Sequence, residues 1–256
     1  MSEWWTYRLS DFLMFAPRTY YRLVELYNLE VWPGQLVGVF LGAAMLFASW
    51  QTRLRSTLLI WAALAGCWIW VAWAFLWERY AGINWAASWF AAGFAIQGGL
   101  LILIGWFVDR GRATVGSPGY GFAHGLPRAI GLAFVTGALV VHPWIAPLAG
   151  RPWRQAEVFG LAPDPTVLAT LGLLLLARPG DISRQAGRAS RFVWLLWPIP
   201  MLWCLVSGAT RWTMAAPEAW LMPCAGLLAA LAAWRDRFNN PRRAWRSSLP
   251  SSSRHR

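Results

Sequence analysis

The sequence predicts an all-α protein: a polytopic transmembrane helix bundle of seven spans with an N-terminal amphipathic interfacial segment. Three observations carry that expectation. Of the 256 residues, 57% are hydrophobic and only 13% charged, about half the charged share of a soluble domain. The apolar residues fall in runs close to the roughly 20 needed to cross a bilayer core. The arginines collect between those runs and at the C-terminus, leaving little chain for a separate soluble domain.

Residues 1–31 form the amphipathic segment. A helix opening at Pro17 places Arg18, Arg22 and Glu25 on one side and Tyr20, Leu23, Val24 and Tyr27 largely on the other, a pattern suited to lying on the membrane surface. The bundle follows over 32–234, with spans expected at 32–50, 57–77, 85–108, 129–148, 158–177, 192–210 and 217–234. Trp32, Trp50, Trp77, Trp85 and Trp106 stand near span ends, where indole rings favour the headgroup level. Residues 109–127 read as a Gly-rich loop. The fifth span is the weakest. Asp164 followed by Pro165 reads as a cap and a first-turn proline, and Pro179 ends the segment. A helix over 165–177 would be about 20 Å long, short of a ~30 Å core, so it either starts near Val158 with a kink or is re-entrant. Residues 235–256, rich in Arg and Ser, read as a basic disordered cytoplasmic tail.

Arginine placement selects the topology. With seven crossings, loops 51–56, 109–128 and 178–191 share one side and hold two, three and four arginines; the opposite internal loops hold one, two and one. A fifth segment that failed to cross would even this split. The positive-inside rule therefore favours seven crossings, with the C-terminus cytoplasmic and the N-terminus outside. The chain start lacks a basic region followed by a short apolar stretch and a cleavage site, so the first true span is expected to direct insertion.

Composition also excludes chemistry. All 23 basic residues are arginine. Without lysine there is no retinal or pyridoxal Schiff base and no Walker A phosphate loop. The formal charge of +12 follows the loops and tail, which points to anionic headgroups and not to nucleic acid. Cys67, Cys204 and Cys224 lie far apart within apolar runs, with no metal or redox spacing. No cofactor is expected, and the absence of a nucleophile–base pair or a ligand cluster leans away from an enzyme.

Polar groups inside spans are costly and so are the first functional candidates. Gln97, beside Gly98 and Gly99, and His142, followed by Pro143, are the candidate solute-binding residues. Pro198, Pro200 and Pro223 are expected to kink the sixth and seventh helices. Asp164, Arg211 and Glu218 fall at span ends or in loops, so no charge is expected at mid-membrane. On the cytoplasmic side Arg184, Arg188 and Arg191, at i, i+4 and i+7, form a basic face for lipid or a partner.

The opening stretch WWTYRLSDFLMFAPRTYYRLVELYN, followed by Trp32 and Pro33, resembles an uncharacterised bacterial integral-membrane family, domain of unknown function 6064. The resemblance implies a multi-span membrane protein and brings no substrate, cofactor or catalytic residue. Its motif residues Trp4, Trp5, Arg18, Tyr20, Tyr21 and Glu25 would form an interfacial cluster on the outer face of the bundle, as a lid or partner site. Two functions stay open from the residues: a permease-like protein binding or passing a small neutral or hydrophobic solute, and a non-catalytic accessory subunit docked on another membrane protein.

Overall fold

The computed structural model describes residues 15–50, 57–115, 125–176 and 192–239, and among them every regular element is helical. Helix α1 (Pro17–Glu30) begins on its proline, where the missing N–H has no intrahelical acceptor. A bend of 87° separates it from α2 (Gly34–Trp50). Helix α3 (Thr57–Trp70) runs on through a π-helical turn, Val71–Trp77. Helix α4 (Ala87–Val115) extends into the stretch read from sequence as a loop. Helix α5 (Leu126–Thr136) continues through a π turn, Gly137–Val141, and a 3-10 turn, His142–Trp144, into the short α6 (Ile145–Leu148). After a loop come α7 (Pro163–Leu176), α8 (Pro198–Thr213) and α9 (Leu221–Asn239), the last passing the expected boundary at 235.

Among the described residues, four helical stretches are long and apolar enough to cross a membrane: Leu58–Gly82, Ala87–Val108, Leu126–Leu148 and Val193–Thr213; the bent pair α1 and α2 makes a fifth if counted as one span. This is fewer than the seven expected. The second, third, fourth and sixth expected spans meet the length. The fifth and seventh correspond to shorter apolar helices, Pro163–Leu176 and Leu221–Arg235.

The reason for the short fifth helix lies in its position. All 14 residues of α7 are buried, so it is sheathed by other helices and need not match the hydrocarbon thickness on its own. It begins at Pro163, which puts Asp164 inside the first turn and not at the cap expected from sequence. Contact with α5 is made through facing glycines: a Cβ on Gly131 would lie 2.8 Å from the Gly172 carbonyl oxygen, and one on Gly172 2.7 Å from that of Gly131. Small residues permit this close backbone approach. From α3, Trp68 Nε1 donates to Thr170 Oγ1 at 2.8 Å, and that hydroxyl donates back to Thr166 O at 2.7 Å.

The prolines expected as kinks stand elsewhere in their helices. Pro198 and Pro200 lie in the first turn of α8, after a 3-10 turn at Val193–Leu196, and Pro223 is the third residue of α9. In a first turn a missing N–H breaks no helical hydrogen bond. Pro200 does leave the Leu196 carbonyl without its usual donor four residues on. Gln97, fully buried in α4, fills that role: its Nε2 donates to Leu196 O at 3.0 Å. Pro223 packs against Gly208 of α8, and Gly226 against Cys204.

Candidate functional site

Arg211, in the last turn of α8, is the hub of a buried ionic cluster. The side chain's NH1 donates to Glu218 Oε1 at 3.0 Å, and NH2 donates to Asp164 Oδ2 at 3.2 Å and to Glu157 Oε1. Arg211 and Glu157 are each 6% exposed and Asp164 5%. Asp164 accepts two further bonds from α8, Trp203 Nε1 to Oδ1 and Ser207 Oγ to Oδ2, both 2.8 Å. Trp203, Ser207 and Arg211 follow i, i+4, i+8, so one face of α8 aims three donors at one carboxylate. The ends of the helices suit these charges, because an acid in the first turn of α7 and a base in the last turn of α8 both complement the helix dipole.

The cluster is closed from the other side by α1. Tyr20 Oη donates to Glu157 Oε1 at 2.9 Å, and its ring centroid is 5.5 Å from the Arg211 guanidinium carbon. Arg151 pairs with Glu218 and lies over the Tyr21 ring at 4.1 Å. Burial pushes the Glu157 carboxyl up, but the Arg211 cation and the hydrogen bonds from Tyr20 and Arg211 outweigh it and hold the group below the usual carboxylate range. Burial, then the Glu157 charge, pushes the Tyr20 phenol well above its ordinary value, so it stays a donor.

His142 sits beside these groups, 5% exposed. The backbone around it is irregular, π-helical before it and 3-10 through Pro143. His142, Glu157 and Asp164 each offer a ligand atom, and these atoms all lie within 4.8 Å of one another. His142 Nδ1 is buried with no hydrogen-bond partner, and so is Glu218 Oε2. His142, Glu157, Asp164, Arg211 and Glu218 all line a cavity of about 20 Å³, room for about one water. With the imidazole neutral, three carboxylates face two guanidiniums, leaving one net negative charge.

A family model described as a family of unknown function (DUF6064) matches residues 18–244. The chain belongs to DUF6064. No curated protein and no solved structure matches it. The DUF6064 match begins at Arg18, so the first part of the N-terminal motif lies before it, while every residue of the ionic cluster falls within it.

Within this DUF6064 chain, the residues singled out from sequence divide. Tyr20 and His142 meet in the cluster. Tyr21 and Glu25 lie beside it, Glu25 accepting from Gln155 Nε2 at 3.3 Å and pairing with Arg22 at 3.0 Å. Arg18 is exposed on the outer side of α1. Asn28 and Tyr27 complete the docking of α1: Asn28 Nδ2 donates to Arg154 O and Ala156 O at 2.9 and 2.8 Å, and Tyr27 Oη to Leu161 O at 3.1 Å. Gln97 does not line the His142 cavity. Trp4, Trp5, Arg184, Arg188 and Arg191 lie outside the described residues. Sequence reading passes over Glu157 and leaves Asp164, Arg211 and Glu218 as span-end charges. The available signal was the Trp203, Ser207, Arg211 stripe, three donors on one helical face with no partner on their own helix.

Proposed function

We propose that this protein is a permease-like protein of the bacterial inner membrane, with α1 and the ionic cluster on the extracytoplasmic side and the C-terminus in the cytoplasm, and that its ligand is an ion-sized cation. The observation that carries the reading is the buried cluster with its net negative charge around a cavity of about 20 Å³. A buried charged group in a membrane protein is expensive and marks ion or substrate pathways by default. The cavity is too small for an organic solute, and its charge favours a cation. The neutral or hydrophobic solute expected from sequence rested on the lack of charge within the spans, and the convergence of span-end charges removes that ground. Helix α1 covers the cluster and acts as its lid, held by Tyr20, Tyr27 and Asn28. The arginine distribution between the two sets of loops supports the orientation.

The test is flux in vesicles of phosphatidylethanolamine and phosphatidylglycerol containing the purified full chain. Vesicles loaded with a pH-responsive or a divalent-cation-responsive dye should show cation entry that depends on the protein and is lost in Asp164→Asn. Entry no faster than in protein-free vesicles, for protons and for mono- and divalent cations, would reject the permease reading. In that event, recovery of a stoichiometric membrane partner from native membrane in mild detergent would favour the accessory subunit.

A further inference from the structure

We propose that His142, Glu157 and Asp164 form a binding site for one divalent transition-metal cation, with His142 Nδ1 as the nitrogen ligand. The inference rests on the reading of the cluster as a cation site and names the class of cation; it does not require transport. The three ligand atoms lie within 4.8 Å of one another, and bonds of about 2.0–2.2 Å at tetrahedral angles set ligand atoms roughly 3.3–3.6 Å apart, so the side chains draw together by up to about 1.5 Å when the ion binds.

The histidine carries the independent evidence. It is 5% exposed, lines the cavity, and its Nδ1 has neither donor nor acceptor. An imidazole carrying its proton on Nε2 keeps a lone pair on the unpartnered Nδ1, the atom free to take a metal ion. One imidazole with two carboxylates suits Mn²⁺, Fe²⁺, Co²⁺ or Zn²⁺, whereas Mg²⁺ and Ca²⁺ prefer oxygen alone. The cavity of about 20 Å³ leaves room for a water as a further ligand.

Arg211 holds both carboxylates in the metal-free cluster and has to yield when the ion enters. Glu218 provides the alternative: its Oε1 already accepts NH1 at 3.0 Å, and its buried Oε2 has no partner. The guanidinium shifts its NH2 from Glu157 and Asp164 to Glu218 Oε2, and the ion takes its place. The cluster then goes from one net negative to one net positive charge, which a hydroxide at the open ligand position neutralises.

The full chain, purified in detergent with a tag free of histidine and stripped with a chelator, is titrated with Co²⁺ and followed by calorimetry and visible absorption. One Co²⁺ per chain is expected, with ligand-field bands, displacement by Zn²⁺ and none by equimolar Mg²⁺ or Ca²⁺. His142→Gln and Asp164→Asn should weaken binding by ~100-fold or more, beyond the ~10–100-fold cost of an outer-sphere change. A measurement that needs no variant is pulsed EPR of Cu²⁺ in the wild-type chain, which should show coupling to one imidazole nitrogen. Absence of saturable Co²⁺ binding, or binding unchanged in folded His142→Gln, overturns the site. Vesicle flux plays no part, so a flux failure with Co²⁺ bound leaves the metal site standing, and cation flux without Co²⁺ binding overturns the metal site alone.

Discussion

Replacing Arg211 by Met removes one side chain from three carboxylates at once, and the structure sets the size of the consequence. Met preserves the aliphatic stem and the packing of α8, so the change is electrostatic. Glu218 keeps Arg151, and Asp164 keeps Trp203 Nε1 and Ser207 Oγ. Glu157 keeps only the Tyr20 hydroxyl and loses the Arg211 cation. Stripping the partner from a buried ion pair costs about 3–5 kcal/mol. Because two of the three acids retain partners, the expected loss is near the lower bound, about 3 kcal/mol. At roughly 2–4 °C per kcal/mol for a chain of this size, that is a fall in Tm of about 6–12 °C. Tryptophan fluorescence during heating of the detergent-solubilised chain measures it directly, and 21 tryptophans supply the signal. The double variant Arg211→Met with Glu157→Gln removes the stranded charge and should recover at least about 1 kcal/mol relative to Arg211→Met alone. A Tm within about 2 °C of wild type for Arg211→Met, or a double variant no more stable than the single one, would refute the claim that Arg211 neutralises a buried centre.

The remaining predictions concern the elements that frame the cluster. Gly172→Ala places a methyl against the Gly131 carbonyl oxygen at 2.7 Å, where only backbone can yield, so a loss of about 1–3 kcal/mol or more is expected. Gly66→Ala, on an open face of α3 with nothing within 4 Å, should be neutral or stabilising by about 0.4–1 kcal/mol; equal thermal stabilities for the two variants would contradict the α5–α7 contact. Tyr20→Phe removes the hydroxyl that ties α1 to Glu157, a bond to a charged acceptor worth about 1.5–3 kcal/mol. Amide exchange in α1 should speed up by on the order of 10-fold or more while α4 is unaffected, and unchanged exchange in α1 would show that Tyr20 does not hold the lid.

Much of the architecture was legible because it depends on composition and spacing. The long apolar runs became helices, α1 begins at Pro17 as its sequence indicates, and the tryptophans at 32, 77 and 85 are exposed. The misreadings share one cause. Asp164 read as a cap because Asp before Pro is a common helix start, yet the helix begins one residue earlier and the carboxylate turns to α8. Pro198 and Pro200 read as kinks because a hydrophobic run continues across them, and the run proved to contain two helical pieces. Gln97 read as a candidate contact for solute because it is polar in an apolar helix. Its partner is a carbonyl orphaned by Pro200, about a hundred residues away in the chain and invisible to any local pattern.

Composition and spacing were enough to set the class of the protein: a helical chain with several segments long and apolar enough for a bilayer, no lysine chemistry, and charges confined to the ends of its apolar runs. These follow from transfer free energies and periodicity, which are properties of short stretches. What those end charges do depends on packing between distant elements. A carboxylate at a helix end is solvated or buried according to what packs over it. Here α1 and the loop before α7 cover one end of the bundle and bring Tyr20, His142, Glu157, Asp164, Arg211 and Glu218 together from distant parts of the chain. Burial and pairing depend on several elements at once, and for that reason the centre of this protein emerges from its packing.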